Sequence, residues 1–525
     1  MKKFLSFVLC LTLLCSLIVP ASAAGKTKTN LPDDLQAIAE QTASYLLKQM
    51  PQPTFGGAGD HIMLAFARGG YAIPKQTVSE YYLSVGSSVL AQKGVLSERQ
   101  YSDYARVCMT LRALGKDPTD IAGYNLLMPL GDFENTVRTG LSGAVNAMRA
   151  LDSGNYDIPE NPDAATQATR ELYLNEILNA QLEDGGWTFF GDAADPDMTS
   201  MVLSVLARYR DRSAVKNAVE IGIDCLSKMQ NDDGGFSSWG TACSESSAQV
   251  LIAMDALGLS LNDSRLMKNG RTVLDALLSY HIPGSGFCHT DTLDLTASYQ
   301  ALEALTALLR TQRGDNSLYD MSDVIPAEIT AAAGVQPSAV QKDVTFSDIV
   351  GHTNQTAIEA LASRGIINGI GSGRFAPDDT MTRAQFAAIV VRSLGLVPAY
   401  RGTFSDVAQS AWHAAYVDTA AAYGIVDGIG SGLFAPGAVI SRQDAAVMLV
   451  RAAKLCGIDT KTDASSADAD KDHDKISAYA VDAVNVCRDL SILKNTEKLE
   501  PQLPVIRAEV AQMLCDLLLH TDLLQ

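Results

Sequence analysis

The chain has 525 residues, of which 47% are hydrophobic, 19% charged and 6% aromatic, enough apolar material for several buried cores. A single small domain is excluded. Sixty Asp and Glu against 41 Lys and Arg give a net charge of −19, which disfavours binding along nucleic-acid phosphates for want of a cationic footprint.

At the N-terminus, Lys2 and Lys3 precede an apolar stretch from Phe4 to Val19 and then Ala21-Ser22-Ala23. Positive charge, a short apolar run and small residues at its end predict a secretory signal peptide over residues 1–23. No later segment is long and apolar enough to span a bilayer, so the processed product is expected free of the membrane. Seven cysteines remain after processing, scattered and without a C-x-x-C pair, and most of them read as small buried apolar residues.

Between about Leu31 and Arg310 one unit recurs. It is clearest in Gln181-Leu182-Glu183-Asp184-Gly185-Gly186-Trp187 and in Gln230-Asn231-Asp232-Asp233-Gly234-Gly235-Phe236, 49 residues later. Gly284-Ser285-Gly286-Phe287 follows as a third copy. After each Gly-aromatic turn comes an amphipathic pattern that predicts a helix: Thr199 to Tyr209, Ser246 to Leu257, and Thr296 to Leu309. Fainter copies predict helices over Ile62 to Arg68, Ala105 to Leu114 and Gly143 to Leu151, with others between them over Glu80 to Gln92, Ala164 to Ala180 and Ser213 to Met229. Six such helix pairs, none able to bury its apolar stripe alone, can stack and close into a ring.

The spacing Gln181-x3-Gly185-x-Trp187 resembles the QW motif of terpene cyclases, and Gln230-x3-Gly234-x-Phe236 resembles its Phe variant. The segment is thereby similar to the α6/α6 toroids of squalene-hopene cyclases, protein prenyltransferase β subunits and the corrinoid-binding intrinsic factor. The resemblance implies an apolar or corrinoid ligand. Asp195-Pro196-Asp197-Met198-Thr199-Ser200 resembles the D-x-D-D-T-A of class II cyclases, which makes Asp197 the candidate catalytic acid, although Met198 replaces the neighbouring aspartate. Alternatively Asp197 opens a helix, with Glu245 and Asp294 at equivalent points of the next two repeats. Cys288, His289, Asp291 and Asp294 do not match the spacing of prenyltransferase zinc ligands, so no metal or cofactor is expected. His61 and His281 have no catalytic partners readable from the chain.

Residues 311–342 have no sustained periodicity and read as a linker. From Val344 a second repeat begins. Phe346-Ser347-Asp348 pairs with Phe404-Ser405-Asp406, and the loop from Gly365 to Pro377 pairs with that from Gly424 to Pro436. Each copy closes with a capped helix start, Thr382-Arg383-Ala384-Gln385 or Ser441-Arg442-Gln443-Asp444. A degenerate third copy lacks the glycine loop, has Asp470 and Asp472, and ends in Ile506-Arg507-Ala508-Glu509.

This pattern is similar to the S-layer homology domain, whose three repeats form a helical unit with grooves for secondary cell-wall polysaccharide, often pyruvylated. The resemblance implies that Arg383, Arg442 and Arg507 meet the anionic sugar and that Asp348, Asp406 and Trp412 line the grooves. Thr353 and Tyr479 take the place of Trp412 in repeats one and three.

The expected fold is all-α: an α/α toroid over 31–310, a linker over 311–342, and S-layer homology repeats over 343–400, 401–460 and 461–525. The expected function is that of a secreted protein held non-covalently at the cell wall, its toroid binding a ligand or partner. A cyclase using Asp197 and a structural S-layer-associated protein are the alternatives.

Overall fold

A computed structural model describes residues 31–326, 330–462, 471–494, 498–521 and 523–524. The expected signal peptide, Asp470 and the residues around it lie outside the described residues.

The first twelve helices alternate between two layers. Helices α2 (Gly57–Gly69), α4 (Ser102–Ala113), α6 (Leu141–Ser153), α8 (Pro196–Leu206), α10 (Ser244–Leu257) and α12 (Leu295–Arg313) each pack on the next, and α12 packs back on α2. This closes an inner ring. Outside it lie α1 (Leu35–Gln49), α3 (Lys75–Ala91), α5 (Phe133–Val137), α7 (Arg170–Asn179), α9 (Ser213–Met229) and α11 (Val273–Leu278). The layers differ in burial as their positions require. Helix α9 buries one stripe, from Val215 through Val219 to Leu226, whereas α10 buries eleven of its fourteen residues between two neighbours and an outer helix. Seam contacts join α2 and the segment after it to α12: His61 Nδ1 lies 2.9 Å from Glu303 Oε1, and Tyr71 Oη lies 2.9 Å from Thr306 Oγ1.

The Gly-aromatic turns knit outer to inner helices. Gln181 Nε2 donates to the Gly185 and Ala218 carbonyls, and Gln230 Nε2 repeats this with Gly234 and Leu266. Trp187 and Phe236 are buried, and Trp187 Nε1 donates to the Ile177 carbonyl at 2.8 Å. Gly185 is required by its left-handed φ of 96°, which an L side chain rarely adopts.

Three expectations change. The helix predicted over Ala164 to Ala180 starts only at Arg170, because Thr169 caps it while Ala168 N–H is drawn to the Gly131 carbonyl. Asp195, not Asp197, caps α8 by accepting from Met198 N, and Pro196 takes the first helical position. The equivalent of Asp294, which caps α12, is therefore Asp195, and Asp197 corresponds to Glu245 alone. Two short hairpins, β1–β2 (Phe236–Ser238, Thr241–Cys243) and β3–β4 (Met267–Lys268, Arg271–Thr272), interrupt the helical pattern.

Residues 315–324, within the stretch read as a linker, cover the C-terminal ends of the inner helices. Arg68, Arg112 and Arg310, each at such an end, donate to the Leu318, Met321 and Asn316 carbonyls, and Arg68 and Arg310 also pair with Asp323. The buried guanidiniums of Arg68 and Arg310 find a partner carboxylate and carbonyl acceptors in this one segment, as ions out of water require.

The C-terminal module is built from α13 (Gln355–Ser363), α14 (Arg383–Ser393), α15 (Ala414–Ala422), α16 (Arg442–Leu455), α17 (Val481–Asp489) and α18 (Arg507–His520). Helices α14, α16 and α18 meet one another, and each carries the first helix of the following repeat: α15 on α14, α17 on α16, α13 on α18. The module docks on α3. Tyr82 Oη donates to the Leu519 carbonyl at 3.1 Å, and Gly86 is small enough to admit the Leu519 side chain, which a Cβ would meet at 2.9 Å.

Candidate functional site

The three repeats share one set of bonds. The Asp348 carboxylate accepts from Phe375 N and Ala376 N, Asp406 from Phe434 N and Ala435 N, and Asp472 from Leu499 N and Glu500 N, all at 2.7–2.9 Å. Ala376, Ala435 and Glu500 each adopt a positive φ, so the degenerate third repeat reproduces the loop without its glycines. Partial burial pushes these carboxyls up, but the paired N–H donors outweigh it and hold all three below the ordinary Asp range. Asp348, Asp406 and Asp472 thus brace their own loops.

The arginines work between repeats. Arg383 Nε donates to the Phe434 carbonyl of repeat two, Arg442 Nη1 to the Leu499 carbonyl of repeat three, and Arg507 Nε to the Phe375 carbonyl of repeat one. Arg383 and Arg507 also lie over the rings of Phe434 and Phe375, with centroid distances of 5.1 and 4.4 Å. The guanidiniums differ in what remains. Arg442 Nη2 pairs with Glu509 at 2.8 Å, and Arg507 Nη2 donates to the Asn368 carbonyl. For Arg383 only Nε has a hydrogen-bond partner among the described residues.

The ring of each groove differs too. Tyr479 is engaged, its hydroxyl donating to Asp444 and accepting from Gln443. Trp412, at the same position before α15, is 59% exposed and touches His413 edge-on. Repeat one has Thr353 there. Trp412 is thus the open ring of the three, and Arg383, whose charge acts on Tyr479 rather than lying beside Trp412, is the guanidinium with terminal nitrogens to spare.

A second site lies on the axis of the ring, where a cavity of about 290 Å³ receives residues from all six inner helices. Asp60, His61, Arg106, Arg149, Asp197, Glu245, Gln249 and Glu303 line it, the residues of each helix lying adjacent or three to four apart. Asp60 is fully buried and satisfied by Gly56 N, Tyr81 Oη and Arg106 Nε at 2.7–3.0 Å. Glu303, also buried, pairs with His61, which stacks on Tyr299. His61 thus has a partner 242 residues away that no local pattern could reveal. Arg149 lies over Tyr319, from the covering segment. Burial raises the Asp197 pKa, with Asp195 and Glu245 adding to the rise and the Ser246 and Ser238 hydroxyls opposing it, and among the described residues no donor meets Oδ1. The mouth opens beside Phe189, at the N-terminal ends of the inner helices.

Cys288 is buried and His289 pairs with Glu245 at 2.8 Å. Burial lowers the pKa of His281, which packs on Phe287. All seven described cysteines are buried and free.

Residues 345–387 and 403–446 match the S-layer homology domain. Over 187 residues, 35% of this chain and 17% of the relative, the sequence is 32% identical to Exoglucanase XynX of Acetivibrio thermocellus. Over 197 residues, 36% of this chain and 24% of the relative, it is 30% identical to S-layer protein sap of Bacillus anthracis. The chain spans under a quarter of the length of each. Among solved structures, ent-copalyl diphosphate synthase from Streptomyces platensis aligns with a TM-score of 0.33 and 18% identity, covering 52% of this chain and 50% of that one. An unsaturated glucuronyl hydrolase from Bacillus sp. GL1 aligns with a TM-score of 0.33 and 14% identity, covering 55% and 98%. With two repeats matched and a third that rebuilds their bonds, the C-terminal part of this chain is an S-layer homology module, and the protein is anchored at the cell wall as a surface protein.

Proposed function

We propose that the protein is exported and that its module grips an anionic secondary cell-wall polysaccharide, chiefly through Arg383, where repeat one meets the loop of repeat two. The observation that carries this reading is the contrast among the three equivalent arginines. Among the described residues Arg383 keeps both terminal nitrogens for a ligand, whereas Arg442 spends both of its own and Arg507 one within the module, and Trp412 offers an exposed ring elsewhere on the module. A guanidinium fork suits a carboxylate such as a pyruvate ketal, and an open indole suits the face of a further sugar along the same polymer. Co-sedimentation with purified wall fragments tests this. Arg383→Ala and Trp412→Ala are each expected to cut retention at least tenfold, and stripping the wall of its pyruvate should do the same to the unaltered protein. Full retention by both variants overturns the reading.

The toroid, in this reading, displays a ligand site at the mouth of its ring. Support comes from the axial cavity, at the small end of ligand sites, and from its convergent polar groups. The apolar or corrinoid ligand implied by resemblance fits poorly, since the wall carries the Asp60–Arg106 ion pair and the buried Glu303 carboxylate, and the space is far below that of a corrinoid macrocycle. Acid chemistry by Asp197 is the second reading, supported by its buried, unpartnered oxygen. Native mass spectrometry of the secreted protein tests the ligand-site reading: a co-purifying small molecule supports it, and bare protein together with no binding to any added small molecule overturns it.

A further inference from the structure

We infer that the mouth and axial cavity of the toroid bind a neutral saccharide, a ligand of different charge from the anionic polymer gripped by the module. The inference rests on the reading of the ring as a ligand site and names the class of its ligand.

Three independent observations carry it. First, residues lining the cavity carry acceptor atoms without a hydrogen-bond partner among the described residues: Asp197 Oδ1 and Gln249 Oε1 are buried and unpaired, while the amide of Gln249 is spent on Gln300 at 3.0 Å. Buried acceptors left unpaired are costly, and they call for a ligand that brings donors. Hydroxyl groups supply them, whereas a hydrocarbon would seal them off unpaired.

Second, the wall carries more acidic than basic side chains. Arg106 answers Asp60 at 2.7 Å, His61 answers Glu303 at 2.9 Å, and His289 answers Glu245 at 2.8 Å. Four acidic side chains line the cavity against two arginines and one histidine, so a further carboxylate entering it would meet a surplus of its own sign. A uronic acid or pyruvylated sugar is thereby disfavoured, and an uncharged polyol fits.

Third, aromatic rings stand open around the mouth. Phe189 lines the cavity, and Phe190 beside it is 74% exposed. Trp239 is 79% exposed at the tip of the β1–β2 hairpin, whose Ser238 hydroxyl acts on Asp197. Trp239 and Gly240 form a two-residue turn with both φ values positive, 51° and 81°. Such a turn favours Asn or Gly at its first position, and a bulky ring held there against preference marks a functional position. Open ring faces beside a polar floor suit the C–H faces of pyranose rings, with their hydroxyl edges turned inward.

A glycan array probed with the full secreted chain, followed by calorimetry, tests the inference. The probes are neutral, N-acetylated and uronic-acid oligosaccharides of two to six residues, with the C20 alcohol geranylgeraniol in mixed micelles as the apolar comparison. The expected result is saturable binding of a neutral oligosaccharide, weakened at least tenfold by Gln249→Leu and at least fivefold by Trp239→Ala. Trp239 lies on the surface, so its variant reads binding even where Gln249→Leu perturbs the ring. Binding of geranylgeraniol or of uronic-acid sugars alone overturns the saccharide class while leaving a ligand site in the ring. Binding of no probe overturns the saccharide class, and the ligand-site reading falls with it only if the native mass spectrum is also bare. Sedimentation with wall fragments, run on the same variants, reads the anchoring module separately.

Discussion

Arg507 and Phe375 stand 132 residues apart in the chain, yet the guanidinium donates Nε–H to the Phe375 carbonyl at 2.9 Å and lies over its ring at 4.4 Å. This pair ties the last repeat to the first and so closes a cycle of three. Arg383 and Arg442 make the other two links.

Replacing Arg507 with Lys keeps the charge but loses the fork that reaches the Phe375 and Asn368 carbonyls together. The expected loss is about 1–3 kcal/mol of stability, measured by urea denaturation followed by circular dichroism. Arg383→Lys, which gives up one such bond, should cost less. Equal effects would show that cyclic closure does not depend on the terminal nitrogens.

Asp472 is the buried brace of the third repeat, accepting two backbone N–H groups. Asp472→Ala should destabilise the module by about 1–3 kcal/mol at pH 7. The folded carboxyl sits below its ordinary value, so its stabilisation is fully present above that value, near 4, and is lost as pH falls through the lower folded one. The gap between the unaltered protein and the variant should therefore narrow only under acid conditions. A gap independent of pH from 2 to 7 would refute the charged brace.

Asp516, on α18, behaves in the opposite sense. Full burial pushes its carboxyl up to about 7, against the pull of the Gln512 amide and Lys494. The folded state prefers it protonated, so the cost to stability begins above the unfolded value near 4 and is complete above about 7. Asp516→Asn should stabilise the protein at pH 8 by about 4 kcal/mol, read as a higher melting temperature, and leave it nearly unchanged at pH 4. Thermal melts at the two pH values decide the matter.

The joint between the two halves depends on Gly86, where Leu519 fits against a bare helix surface. Gly86→Leu should pry α3 from α18 while leaving both halves folded. Limited proteolysis between residues 326 and 345 should then speed up several-fold, and unchanged cleavage would mean that the halves are held by other contacts.

Much of this architecture is legible in the chain because its determinants are local. The Gly-aromatic turns announce themselves through glycines that need a left-handed φ, and α9 runs over Ser213–Met229 as its periodicity predicts. The cap Thr382 and its box partner Gln385 lie three residues apart and bond as expected. What stayed hidden depends on distance or on competition. Asp197 was matched with Asp294, but a loop one residue different in length puts Asp195 at the cap. The alliance of His61 with Glu303 exists only once α12 meets α2. The third repeat lacks the glycines of the other two, yet Glu500 accepts the left-handed conformation under the hold of Asp472. The differing occupancies of Arg383, Arg442 and Arg507 follow from neighbours contributed by other repeats, which no single repeat encodes.

Residues 315–324 stopper the ring at one end, and α3, which carries the wall module, belongs to its outer layer. The toroid is thus mounted by its flank, and neither face of the ring is pressed against its support. Whatever visits the axial chamber comes and goes past Phe189, at the end of the ring opposite that stopper.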